Sequence, residues 1–96
     1  MIEHLTKDSF KQKVFDYQNS RGYRFEGERP VVIDFYTNWC VPCKTIAPIL
    51  EELQREYEGK VDIYKVDSDM EKELVKAFNV RSIPTLMFVP VEGQPQ

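Results

Sequence analysis

Both cysteines of the chain fall in the run Thr37-Asn38-Trp39-Cys40-Val41-Pro42-Cys43-Lys44. A thiolate is the nucleophile of disulfide exchange, and a second thiol one helical turn along reaches the same sulfur, so Cys-x-x-Cys can close and open a disulfide reversibly. The spacing points to redox chemistry. Two other uses of the pair compete with it. Zinc calls for about four ligands, and the other soft candidate, His4, is far away in sequence. A purely structural bridge would close a very small loop, and loop-closure entropy grows with loop length. Neither a metal nor a cofactor is expected.

The elements on either side of the motif must position it. Val31-Val32-Ile33-Asp34-Phe35-Tyr36 is apolar apart from one carboxyl, the pattern of a central strand covered on both faces. Period-two alternation puts Val32, Asp34 and Tyr36 on one face, where an unpaired carboxylate is costly and its pKa is pushed up. Asp34 is therefore a proton-transfer candidate. On the residues alone, a wet face or a salt bridge explains it equally well. After the motif, Ile46, Ile49, Leu50, Leu53 and Tyr57 recur at steps of three and four, Glu51 and Arg55 are placed for an i,i+4 pair, and Gly59 is ready to terminate. This predicts a long amphipathic helix with Pro42 in its first turn and Pro48 further inside, bending it. Cys40 then sits at a helix N-terminus, where free N–H groups and the macrodipole favour a thiolate and lower the cysteine pKa below its free value of about 8.5. Cys43, one turn in and less exposed, is expected to stay protonated.

Elsewhere the chain alternates strand and helix. Residues 2–5 read as a strand, and Thr6-Lys7-Asp8-Ser9 offers caps for a helix carrying Phe10, Val14, Phe15 and Tyr17 or Gln18. Residues 19–30 have a loop composition; Tyr23 and Phe25 there are read as pinning the loop to its own domain, and no chemistry is assigned to them. Residues 61–66 alternate like a strand, Ser68-Asp69 reads as the cap of a helix closed by Asn79, and residues 86–89 form a second fully apolar strand behind Pro84.

Ninety-six residues with 42% hydrophobic and 30% charged side chains describe one folded domain. The net charge of -3 is spread along the chain, with no basic block to meet a row of phosphates, so nucleic acid is not an expected partner. No apolar run reaches the length of a membrane span, and the N-terminus does not read as a leader. Two cysteines in one motif suit a reducing, cytoplasmic compartment; a periplasmic protein with its leader removed would look the same.

The order of elements, with Trp39-Cys40, Pro42-Cys43-Lys44, Asp34 six residues before Cys40, Ile46-Ala47-Pro48-Ile49-Leu50, Lys65 and Ile83-Pro84-Thr85, resembles the thioredoxin family along almost the whole chain. The resemblance implies an α/β fold, a three-layer α/β/α arrangement around a central mixed sheet. It implies that Cys40 attacks, that Cys43 resolves the mixed disulfide, and that Asp34, buried beneath the site with Lys65 nearby, shuttles the proton for Cys43. It also implies a cis Pro84 facing the cysteines and an Ile83 backbone that bonds extended substrate. Trp39, with Val41 and Pro42 between the cysteines, then belongs to the docking surface.

Two departures stand out. Val41 occupies the place of the family's usual glycine, and residues between the cysteines influence the stability of the reduced form, so the potential is not carried over. The sequence also stops where the family continues into one more strand and a final helix. Residues 86–89 are therefore expected to form an open sheet edge, with the chain either a fragment or completed by a partner copy through edge pairing or element exchange. The function expected is reduction of disulfides in protein substrates, with an upstream reductase restoring the dithiol. An oxidase or isomerase on the same fold is the alternative within enzymes, and a redox-inactive binding module is the alternative outside them.

Overall fold

A computed structural model of the chain describes residues 2–18, 28–91 and 96. Tyr23 and Phe25 lie outside them. The elements are β1 (Glu3–His4), α1 (Lys7–Lys13), β2 (Val31–Tyr36), α2 (Val41–Glu56), β3 (Asp62–Asp67), α3 (Lys72–Ala77) and β4 (Thr85–Val89). The sheet order is β1-β3-β2-β4, with β1 and β2 parallel to β3 and β4 antiparallel to β2. This is the mixed, three-layer α/β/α architecture expected.

The alternation of β2 divides the core. Val31, Ile33 and Phe35 point to the side of α1 and α3, where they join Phe10, Phe15, Val66, Leu74, Met87 and Val89 in one buried cluster. Val32 faces α2 and packs with Ile2, Ile63, Ile46, Leu50 and Leu53. A strand buried on both faces needs apolar residues at odd and even positions alike, which is why β2 reads as a continuous run.

Helix α1 starts as expected, with Thr6 as its cap: the Thr6 hydroxyl accepts from the Ser9 amide at 3.2 Å, and Ser9 Oγ accepts from the Thr6 amide at 2.8 Å. It ends at Lys13, short of Tyr17, because Phe15 and Tyr17 turn back onto Phe10 and Phe78 in an aromatic cluster whose rings stand 5.2–5.9 Å apart. Helix α2 continues through Pro48, and Gly59 at φ +83° turns the chain towards β3, a conformation a side chain resists.

The reading of Ser68-Asp69 as a helix cap is corrected. Asp67 takes that role locally: its Oδ1 accepts from the amides of Asp69 at 3.0 Å and Met70 at 3.3 Å, forming a turn before the helix begins. The residue at the cap of α3 is Glu71, whose carboxylate instead accepts from the Lys7 amide at 3.0 Å.

β4 is an edge strand, but its outer side is not left wholly unpaired. Phe88 and Gln96 exchange two backbone hydrogen bonds, at 2.7 and 2.8 Å. The Leu86 and Phe88 side chains remain exposed on the α2 side of the sheet.

Candidate active site

The site forms where β2 and β3 end and α2 begins. After Tyr36 the chain turns through Thr37 and Asn38; the Cys40 amide donates to the Thr37 carbonyl at 3.4 Å, and the Lys44 amide donates to the Cys40 carbonyl at 3.2 Å as the helix starts. The turn behind β3 secures this loop. Asn38 Nδ2 donates to Asp67 Oδ2 at 3.4 Å, and Trp39 Nε1 donates to Asp69 Oδ2 at 2.8 Å. Asp67 and Asp69 are thus site residues that sequence reasoning missed. Asp69 read as a helix cap, and only the fold reveals that its carboxylate holds Trp39.

Cys40 is the N-cap of α2, and it is joined to Cys43 by a disulfide with the two Cα atoms 5.2 Å apart. Cys40 Sγ also accepts from the Cys43 amide at 3.2 Å, the place a capping oxygen takes in other helices. In this oxidised state both cysteines are buried, Cys40 5% exposed and Cys43 4%, so exposure hardly tells them apart. What distinguishes them is position: Cys40 outside the first turn, Cys43 within it. Among the described residues, no group of three or more His, Cys, Asp or Glu side chains is placed to hold a metal ion.

Asp34 is fully buried on β2, on the side of the sheet that α2 covers, and neither carboxylate oxygen has a hydrogen-bond partner among the described residues. A solvated face and a direct salt bridge are both set aside by this geometry. Burial drives its pKa up, and the charge of Lys65, its neighbour in register on β3, offsets part of the rise.

The remaining candidates gather at the same end of the sheet. Ile83-Pro84 is a cis peptide, and the pairing of Thr85 with Phe35 sets Pro84 beside the end of β2 from which the cysteine loop departs. Trp39 and Val41 are each 70% exposed beside the disulfide, with Met70 75% exposed behind Asp69. Pro42 lies in the first turn of α2, also exposed. Tyr36 and His4, which the sequence reading left without a role, meet above Lys65; no local signal marks a contact across 32 residues.

A mixed sheet with a redox-closed Cys-x-Pro-Cys at a helix N-cap and a buried carboxyl below defines a protein of thiol-disulfide exchange. The sequence profile of the Thioredoxin family matches residues 1–96. Thioredoxin of Borreliella burgdorferi is 50% identical over 96 residues, spanning 100% of this chain and 82% of its own length. Thioredoxin of Thiocapsa roseopersicina is 36% identical over 86 residues, 90% of this chain and 84% of its own. The chloroplastic M-type thioredoxin of Spinacia oleracea is 43% identical over 79 residues, 80% of this chain and 44% of its own. The chain belongs to the thioredoxin family, and its Cys40–Cys43 pair makes it a thiol-disulfide oxidoreductase of the protein-disulfide reductase type.

Proposed function

We propose that residues 1–96 act as one thioredoxin-like domain in which Cys40, Cys43, Asp34 and Lys65 carry the exchange, and Trp39, Val41, Pro42, Ile83 and Pro84 receive the substrate. The observation that carries this reading is the Cys43 amide donating to Cys40 Sγ at the head of α2. After reduction the same amide and helix end stabilise a thiolate on Cys40. That thiolate attacks one sulfur of a substrate disulfide; the other substrate sulfur leaves as a thiolate and takes up a proton. Cys43 then gives its proton to Asp34 and attacks Cys40 Sγ, which breaks the mixed disulfide; the second substrate sulfur leaves as a thiolate and takes up the proton that Asp34 gives back. The substrate gains two electrons and two protons. The chain is left with the Cys40–Cys43 bridge.

An upstream reductase must return those electrons, and a reducing cytoplasmic setting suits a chain whose two cysteines both belong to the exchanging pair. No helix among the described residues is long and apolar enough to cross a membrane. On β4, exposed Leu86 and Phe88 support association with a second copy. Sedimentation at low micromolar concentration tests that part: a monomer throughout would remove it.

Turnover of insulin disulfides with dithiothreitol tests the activity, and no acceleration over dithiothreitol alone would defeat it. Equilibration against a series of glutathione buffers then fixes the reduction potential. A potential more oxidising than the cytosolic glutathione poise would turn the reading from reductant to oxidase or isomerase.

A further inference from the structure

The row of residues that crosses the sheet at Asp34 extends beyond Lys65. His4 on β1 stands in register with Lys65, Lys65 with Asp34, and Leu86 closes the row on β4. Two residues beyond Asp34, on the same face of β2, Tyr36 ties this row together. Its hydroxyl lies 2.9 Å from His4 Nδ1 with the two rings edge to face, and Lys65 Nζ stands 5.0 Å from the centre of its ring. An ammonium at that distance is drawn to the negative face of the ring. The phenol stays protonated, because burial first, and then the charges of Asp67 and Asp34, raise its pKa.

Lysine is a strongly hydrated point charge on a flexible four-carbon stem. Its charge reaches Asp34 steadily only if something holds it against the pull of water, and the carboxylate makes no hydrogen bond that does so. Among the described residues, the Tyr36 ring stands against the Lys65 ammonium. β4 offers Leu86 opposite Asp34; from α2, Cys43 is buried, Lys44 is exposed, and Glu51 accepts from the Ile2 amide at 3.3 Å. Asp67 bonds the turn behind β3 and Asn38.

We propose that Tyr36, oriented by His4, is a positioning residue: it holds the Lys65 ammonium over the sheet and thereby sets the pH at which Asp34 takes up and releases the Cys43 proton. The inference rests on Asp34 as the proton carrier. Without the platform, Lys65 extends into water, Asp34 loses the charge that favours its ionised form, and its titration moves to higher pH.

The test is a titration of Asp34 in the whole chain by carbon-13 NMR of labelled aspartate, alongside the pH profile of substrate reduction. Tyr36→Leu should move both midpoints upward. Tyr36→Phe, which keeps the ring and loses the His4 contact, should move them less, and Tyr36→Trp should restore them. His4→Ala should match Tyr36→Phe and serves as the second variant if Tyr36→Leu does not fold. An Asp34 midpoint that stays in place or falls in Tyr36→Leu, or in Tyr36→Phe and His4→Ala where only those fold, overturns the proposal. Asp34→Asn separates the two readings. If its rate profile equals the parent's, the proton-carrier role is lost, while the NMR midpoints still decide whether Tyr36 holds Lys65.

Discussion

The Cys43 amide donates to Cys40 Sγ at 3.2 Å, so one backbone group of the first turn serves the sulfur outside the helix while the Cys43 sulfur lies within it. In the reduced protein this asymmetry should appear as reactivity. Cys40 should alkylate on the order of tenfold faster than Cys43 near neutral pH, since the helix end favours its thiolate. Mass mapping after brief iodoacetamide treatment measures the ratio; equal labelling would reverse the assignment of roles. Cys43→Ser should then accumulate mixed disulfides with substrate, and Cys40→Ser should not.

Asp34 makes folding stability depend on pH. Its pKa is raised in the folded state by burial, only partly offset by Lys65. Below the ordinary carboxylate pKa of about 4, both folded and unfolded chains are protonated and nothing changes. As pH rises from there to the raised folded value, only the unfolded chain ionises, so stability falls; above that value the full cost is present. Asp34→Asn should therefore stabilise the oxidised protein near pH 7, because the amide carries no charge to desolvate, with the gain vanishing towards pH 4. Urea unfolding of both proteins across this range checks the sign. A gain that grows as the pH is lowered would contradict the burial argument.

The same substitution should slow substrate reduction by about a hundredfold or more, if proton transfer to Asp34 has the usual worth of general base catalysis. Stopped-flow reduction of a peptide disulfide from pH 5 to 9 measures it.

Trp39 lends its indole face to solvent while Asp69 fixes its nitrogen. Trp39→Ala should raise the KM for a protein disulfide by on the order of three- to tenfold, equivalent to about 1 kcal/mol of lost apolar contact. Stability should shift by less than about 0.5 kcal/mol, as for other exposed positions. Asp69→Ala should give a smaller rise in KM in the same direction. Steady-state kinetics with two substrates of different size separates docking from chemistry.

Phe10 is fully buried and touches Phe15, Tyr17 and Phe78, so Phe10→Ala should cost about 3–5 kcal/mol. That is a large part of the roughly 5–15 kcal/mol a domain of this size holds. Thr6→Ala, which removes the capping box of α1, should cost about 1 kcal/mol. Denaturant midpoints distinguish the two. Comparable losses would mean that the N-terminal helix, and not the aromatic cluster, organises this face.

Local pattern was enough to read the redox pair, its place at a helix start, the buried run of β2 and the anomaly of Asp34, because spacing and period are properties of neighbouring residues. The cis bond before Pro84 and the part of Lys65 came with the family resemblance and not from those patterns. What surrounds each residue was decided by the tertiary structure. Period two places Asp34, Tyr36, His4 and Lys65 on faces, but it cannot align strands from three separate parts of the chain into one row. Nor does propensity foretell that Asp67 wins the amides expected to belong to a cap at Ser68-Asp69, or that Asp69 then bonds Trp39 from 30 residues away. Such contacts depend on strand register and on competition between donors and acceptors brought close only when the sheet assembles. A sequence carries that information collectively, and no short stretch of it does so alone.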